Sequence, residues 1–171
     1  MNAPTYSVAP RDLELLERAV SLALAAERDG NLPIAAVITL GAAIVAEGAN
    51  AVWKPVFQPG QHAEIRALQA VPEALWPRAA ELTLYSTLEP CVMCFGAIVT
   101  HRVGRVVFGS ADALSGGTGL LGALPEYVDA KARAISWIGP VLPASCDPLR
   151  DRAIERARAL RAGCADSPPR P

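Results

Sequence analysis

The sequence predicts an α/β protein, one sheet with helices on both faces. Three observations carry this. Segments of strand length alternate with segments of helical period along the whole chain. The first of these strands, residues 34–40, is a continuous apolar run rather than an in–out alternation. The length, 171 residues, is one domain's worth and buries a core without staples. Apolar residues make up 51%, charged residues 19%, and mean hydropathy is +0.25, which excludes a disordered or fibrous chain.

The elements follow in order. Residues 11–28 form a helix with Leu13, Leu16, Val20 and Leu24 as its apolar stripe and Gly30 at its end. Pro33 opens the strand 34–40, Gly41 turns the chain, and 43–47 returns as a hairpin partner. Residues 49–61 are a loop punctuated by Pro55, Pro59 and Gly60. A helix spans 62–71 with Ile65 and Leu68 inward, 72–80 is irregular, and 82–86 is a strand. Pro90 precedes an apolar helix over 91–100, and 105–108 is the next strand. Residues 109–124 hold five glycines and read as a loop. A short helix over 125–133 and a strand over 134–138 follow. Asp147 is the expected N-cap, and Pro148 the first-turn proline, of a last helix running to about Arg161. Its inner face is Leu149, Ala153, Ala157 and Leu160, and 162–171 is expected to be a disordered tail. No internal repeat or linker interrupts the chain, so 1–171 reads as a single domain.

Sixteen Lys and Arg against seventeen Asp and Glu give a net charge of −1, with no global signature of a nucleic-acid binder. No run of eighteen apolar residues predicts a membrane span, and residues 1–10 lack the basic start and apolar core of a signal peptide. The expected compartment is the cytoplasm, where four cysteines are metal ligands or core residues rather than disulfides.

Two segments stand out: His62-Ala63-Glu64 and Thr87-Leu88-Glu89-Pro90-Cys91-Val92-Met93-Cys94. Each opens a predicted helix. Cys91 and Cys94 share one helix face. One nitrogen and two sulfurs suit a tetrahedral zinc ion and leave its fourth position open for water, the mark of a catalytic site. Zinc draws the pKa of that water from ~15.7 toward ~7. Two helix N-termini aimed at the metal favour thiolates. Glu64, two residues past the histidine, is placed for proton transfer without being forced to ligate. A Cys-x-x-Cys alone is often core packing, and a structural zinc site wants a fourth protein ligand. His101, Cys146 and Cys164 are the candidates, and none has the right placement. The combined H-x-E…P-C-x-x-C pattern is far more specific than its parts.

On these residues the chain resembles the cytidine and deoxycytidylate deaminase superfamily. Residues 87–112, TLEPCVMCFGAIVTHRVGRVVFGSAD, look most like bacterial tRNA adenosine deaminases and the guanine deaminases. The likeness runs from about Leu15 to Arg158. It implies the three-layer α/β/α fold with a five-stranded mixed sheet. It also implies one Zn2+ per chain on His62, Cys91 and Cys94, with Glu64 as catalytic proton shuttle and Ala63 beside the reacting centre. The family's substrate-binding asparagine falls on Asn50. Glu89 either binds substrate or orders its loop, and Asp112 either meets a base edge or caps. Trp53, Phe57 and Trp76 are the aromatics nearest the motif; one of them stacks on a base, or they are core or subunit-interface residues. The resembling families are homodimers.

The departures bear on substrate. Gln61 and Phe95 replace smaller residues beside the zinc ligands and are expected to narrow the pocket. Residues 147–171 carry six Arg against four acids, a net of +2 that a solvated face explains as well as RNA contact. The expectation is a hydrolytic deaminase of a free nucleobase or nucleoside, with a purine such as guanine favoured and ammonia released. The first alternative is tRNA wobble adenosine deamination. The second is a non-catalytic zinc-binding scaffold or partner subunit, against which Glu64 argues. Riboflavin-type deaminases share the pattern but usually carry a fused reductase, for which there is no room.

Overall fold

The computed structural model describes residues 8–165. Its strands are β1 (Ala35–Leu40), β2 (Ala43–Ala49), β3 (Leu82–Leu88), β4 (Arg105–Ser110) and β5 (Ser136–Ile138). They form one sheet in the order β2-β1-β3-β4-β5. β1 is antiparallel to both its neighbours, while β3, β4 and β5 run parallel. The sheet is mixed and five-stranded, as the resemblance implies.

Among the described residues five α-helices cover it: α1 (Pro10–Arg28), α2 (Ala63–Gln69), α3 (Val92–His101), α4 (Glu126–Arg133) and α5 (Pro143–Ala165). Alternation along the strands sorts the two layers. Ala36, Ile38, Leu84 and Val106 join the cluster of Ala67, Ile98 and Ala132 from α2, α3 and α4. Val37, Tyr85 and Val107 join Leu15, Leu16 and Ala19 of α1. Both faces are covered, so both sets of strand residues must be apolar, which is why β1 reads as a continuous run. Each such fully buried Leu or Ile contributes about 1.5–3 kcal/mol of transfer free energy.

The buried face of α1 is Leu15, Leu16, Ala19, Ala23 and Ala26. Leu13 and Leu24 each remain 37% exposed, so the expected stripe is rotated. The cause lies at Asp12. Its carboxylate accepts hydrogen bonds from Arg105 Nη1 and Nη2 (2.8 Å each), from Tyr85 Oη (3.0 Å) and from the Ala9 amide (2.8 Å). That anchor turns the Asp12–Leu16–Ala19–Ala23 side of the helix to the sheet, and the alanines let it sit close.

Three further expectations change. Residues Glu73–Glu81, expected irregular, form 3-10 turns, and a second short 3-10 turn, Gly117–Leu120, lies within the glycine-rich loop. α5 starts at Pro143 rather than at Pro148, which lies inside it. Val141 and Leu142 donate to the Phe108 and Gly109 carbonyls, so the chain is tied to β4 up to the residue where the helix begins. Pro143 therefore takes the first-turn place, and Asp147, freed from capping, accepts from Ser110 Oγ at 2.5 Å and pairs with Arg150. α5 also continues through Ala165, past the expected end at Arg161; the rest of the expected tail, 166–171, lies outside the described residues.

Candidate active site

Two helix N-termini converge beside the carboxyl end of β3. His62 is the N-cap of α2 and Cys91 the N-cap of α3, both in extended backbone, with Cys94 in the first turn of α3. α2 is brought in by Gly48 of β2, where a Cβ would stand 2.3 Å from the Ala63 carbonyl oxygen. His62 Nδ1 lies 3.5 Å from Cys91 Sγ and 3.6 Å from Cys94 Sγ, and the two sulfurs are 3.7 Å apart. A tetrahedral zinc with bonds of ~2.3 Å to sulfur and ~2.05 Å to nitrogen requires edges of about 3.8 Å (S–S) and about 3.6 Å (S–N). The three ligand atoms therefore already have the spacing of a zinc-holding face, and the group fits.

Glu64 lies in the first turn of α2, 3% exposed. Its carboxylate accepts from Ser86 Oγ at 3.0 Å and lies 3.4 Å from Cys94 Sγ. Burial holds this carboxyl above the usual range, as proton exchange in a site requires. The hydrogen bond from Cys94 is the main cause that draws Cys91 down to about 4, while the same contact, with burial, pushes Cys94 up. The hydrogen bond to Cys91 raises His62. One thiol of the pair is thus set to ionise first, and a bound cation draws the proton from the second. The rival fourth ligands stay away. His101 Nδ1 meets the Ala97 carbonyl at the far end of α3, and Cys146 is buried beneath Gly109 with its thiol pushed up to about 12 by that burial. The side chain of Cys164 lies outside the described residues.

A cavity of about 400 Å³ opens over this centre, with His62, Glu64 and Cys91 on its floor. Leu32 and Ile34, Glu89, Asp112 and Leu114 form part of its wall. α5 supplies Ala153, Ile154, Ala157 and Arg158. Ala63, fully buried, stands between His62 and Glu64. The Asp112 carboxylate accepts from the Leu114 and Ser115 amides (2.9 and 3.2 Å) and from Ser115 Oγ, so it caps its own turn. Glu89 lines the cavity, but its oxygens face the amides of Asp112 and Thr118. Asn50, 3% exposed, is not on the cavity wall. Its side-chain oxygen accepts from Leu32 N and Val52 N at 3.4 and 3.3 Å, and so steadies the wall residue Leu32.

Two expected obstructions are absent. Phe95 is in the core, 2% exposed and stacked on Trp137 at 4.8 Å, because its place on α3 faces the sheet side rather than the metal. Gln61 is off the cavity wall; its carbonyl accepts from Ala51. Trp53 pairs with Phe57 and Trp76 with His101, and none of the three named aromatics lines the cavity. Sequence reasoning missed Ser86, a small polar residue within a strand that is almost wholly buried. It missed Asn31 too, whose oxygen accepts from the Trp53 and Lys54 amides (both 2.9 Å) and orders that loop. The contribution of α5 left no local trace.

Residues 10–110, more than half of the chain, match the family model of the cytidine and deoxycytidylate deaminase zinc-binding region. The chain is 39% identical over 158 residues to a tRNA-specific adenosine deaminase of Buchnera aphidicola subsp. Baizongia pistaciae, covering 87% of this chain and 91% of that protein. A tRNA:A34 deaminase structure, from work on A-to-I editing at the wobble position, superposes with TM-score 0.70 at 26% identity over 80% of this chain and 99% of the other. The guanine deaminase of Nitrosomonas europaea gives TM-score 0.64 at 25% identity, covering 90% and 89%. With the ligand spacing, the buried carboxylate and the fold in agreement, the chain belongs to the cytidine and deoxycytidylate deaminase family of zinc-dependent hydrolytic deaminases.

Proposed function

We propose that this chain deaminates adenosine to inosine in tRNA. The observation that carries the reading is the 39% identity, over 91% of its length, to a tRNA-specific adenosine deaminase. It displaces the free purine base as first expectation. Phe95 and Gln61, expected to narrow the pocket for a compact ligand, are not among the residues that line the cavity.

In this reading His62, Cys91 and Cys94 hold zinc, which supplies a Lewis acid that lowers the pKa of water to about 7. Glu64 takes one proton of the attacking water and passes it to the purine ring nitrogen; it then takes the proton of the new hydroxyl on the amine-bearing carbon and gives it to the departing amine. Water adds at the amine-bearing carbon, the C–N bond breaks, and ammonia leaves. Ser86 holds one carboxylate oxygen of Glu64 so that the other works at the centre. Ala63 contributes its backbone beside the reacting carbon, and Asn50 acts through Leu32 on the cavity wall. The cavity, about 400 Å³, is of the size that takes one nucleoside.

The test offers the zinc-loaded protein an anticodon stem-loop with adenosine at the wobble position, beside guanine, adenine, cytosine and their nucleosides. The expected result is fastest turnover per active site on the stem-loop. Turnover on guanine with none on the stem-loop would transfer the assignment to nucleobase deamination, which the guanine deaminase likeness favours as second reading. We also propose a homodimer. Val56, Phe57, Val92 and Met93 stay exposed at 43–63%, apolar surface that a second subunit covers. A stable monomer in sedimentation at micromolar concentration would refute it. Among the described residues no helix is long and apolar enough to cross a membrane.

A further inference from the structure

We propose that Glu89 is a positioning residue, whose carboxylate fixes residues 112–118 across the metal-ligand turn and so sets the wall of the substrate cavity. The inference rests on the reading of the cavity as the substrate site. Glu89 is 8% exposed and directly precedes Pro90-Cys91. One carboxylate oxygen accepts from the Asp112 amide at 3.0 Å. The other accepts from the Thr118 amide at 3.2 Å and from Thr118 Oγ1. The two anchored amides bracket the segment that brings Asp112, Leu114 and Ser115 to the cavity.

The backbone joins the same two stretches. Glu89 N donates to Ser110 O (2.8 Å), Val92 N to Ser115 O (3.1 Å) and Gly117 N to Pro90 O (2.8 Å), and Cys91 bridges Gly116. These bonds run through the middle of the contact. The amides where the chain turns away, at Asp112 and Thr118, find their acceptor in the Glu89 side chain. Gly116 makes room for it: a Cβ there would stand 2.5 Å from the Glu89 carboxyl carbon. A carboxylate with its oxygens turned to N–H and O–H donors of the loop is occupied by the loop. It acts on substrate through the wall it holds, while no hydrogen bond joins it to His62, Glu64 or Cys94.

The experiment compares wild type with Glu89→Ala, Glu89→Gln and Thr118→Val, all zinc-loaded. Zinc content is expected to stay at the wild-type level in all four. Amide hydrogen exchange at Asp112 and Thr118, read without substrate, is expected to accelerate by about tenfold or more in Glu89→Ala. KM for the substrate that wild type turns over best is expected to rise about tenfold with kcat within about threefold. Glu89→Gln is expected to lie between, because its oxygen still accepts from Thr118 while its amide nitrogen faces the Asp112 N–H. Thr118→Val should reproduce part of the effect on exchange and on KM. A lowered melting temperature with unchanged KM would show a merely structural role and overturn the proposal. Unchanged exchange at both amides, or collapse of kcat at unchanged KM, would overturn it too. If the stem-loop proves inert and another base is the substrate, the tRNA reading falls, while exchange and KM on that base still decide the role of Glu89.

Discussion

Replacing Gly48 with alanine puts a methyl group 2.3 Å from the Ala63 carbonyl oxygen and 2.4 Å from the Ala67 amide nitrogen. Ordinary contact begins at 3.4 Å, so β2 and α2 must separate by about 1 Å. The three nearest atoms all belong to the α2 backbone, and no side-chain rotation moves them. Ala63 lies between His62 and Glu64, so a shift of the helix is a shift of the candidate site. Metal-ligand distances are fixed to about ±0.2 Å, and a misplacement of ~1 Å costs about 10²-fold in rate. Overpacking adds about 1–3 kcal/mol of destabilisation, a fall in Tm of roughly 2–12 °C at this chain length. Gly60→Ala is the control, since nothing lies within 4 Å of its Cβ position. Metal analysis, thermal melting and ammonia release are to be read on both variants. Gly48→Ala that matches Gly60→Ala in zinc, Tm and kcat would refute the claim that this contact places the catalytic helix.

Glu64→Ala is expected to keep its zinc and its fold and to lose turnover by at least about 10²–10⁴-fold, since it removes the proton carrier and no metal ligand; near wild-type ammonia release would exclude Glu64 as shuttle. Cys94→Ala is expected to lose zinc and stability together, because metal binding is partly folding free energy, and a chelator should lower the Tm of wild type but not of the variant. Asp12→Ala, which strands Arg105, is expected to cost about 3 kcal/mol near neutral pH. The Arg105 guanidinium holds the Asp12 carboxyl below its usual range, so its stabilisation is present above the unfolded pKa and lost as pH falls through the lowered native value. Urea melts should therefore show the wild-type advantage shrinking below about pH 4; an advantage that grows on acidification would have the wrong sign.

The metal centre was legible because its chemistry is local. His62, Glu64, Cys91 and Cys94 are confined to two helix starts, where spacing fixes geometry before any tertiary contact is known. The strands were legible for a similar reason: apolar runs report burial on two faces. The α1 stripe was not, because its rotation is set by Asp12 meeting Arg105, a partner 93 residues away. The start of α5 was misplaced because Asp147-Pro148 carries a strong local capping signal, which the ties of Val141 and Leu142 to β4 override one turn earlier. Phe95 follows a ligand in sequence and still faces the core, since one step along a helix turns a side chain by about 100°. The cavity wall was the least legible part. It joins the 31–34 turn, the 112–118 loop and α5, and no periodicity within any of them reports the others.

That wall bears on the electrostatics of RNA binding. A net charge of −1 describes the whole chain, whereas a substrate meets only the charges around the cavity mouth. On α5, Arg150 is paired with Asp147 and Asp151, and Arg152 with Glu27. Among the described residues Arg158 is the one lysine or arginine that lines the cavity, and it joins no ion pair there. In the tRNA reading, an anticodon stem-loop seated there meets one such cation among the described residues, with one more to be drawn from a surface pair. Neutralising one or two phosphates gives a slope of about −0.7 to −1.8 in log affinity against log salt, where an extended basic surface gives far steeper values. The affinity should then rest on the base in the pocket more than on the backbone. Fluorescence anisotropy of a labelled stem-loop between 50 and 200 mM salt reads the slope, and Arg158→Gln should flatten it by about one unit. A slope steeper than about −4, unchanged in Arg158→Gln, would place the RNA on a surface away from this mouth and sink the argument.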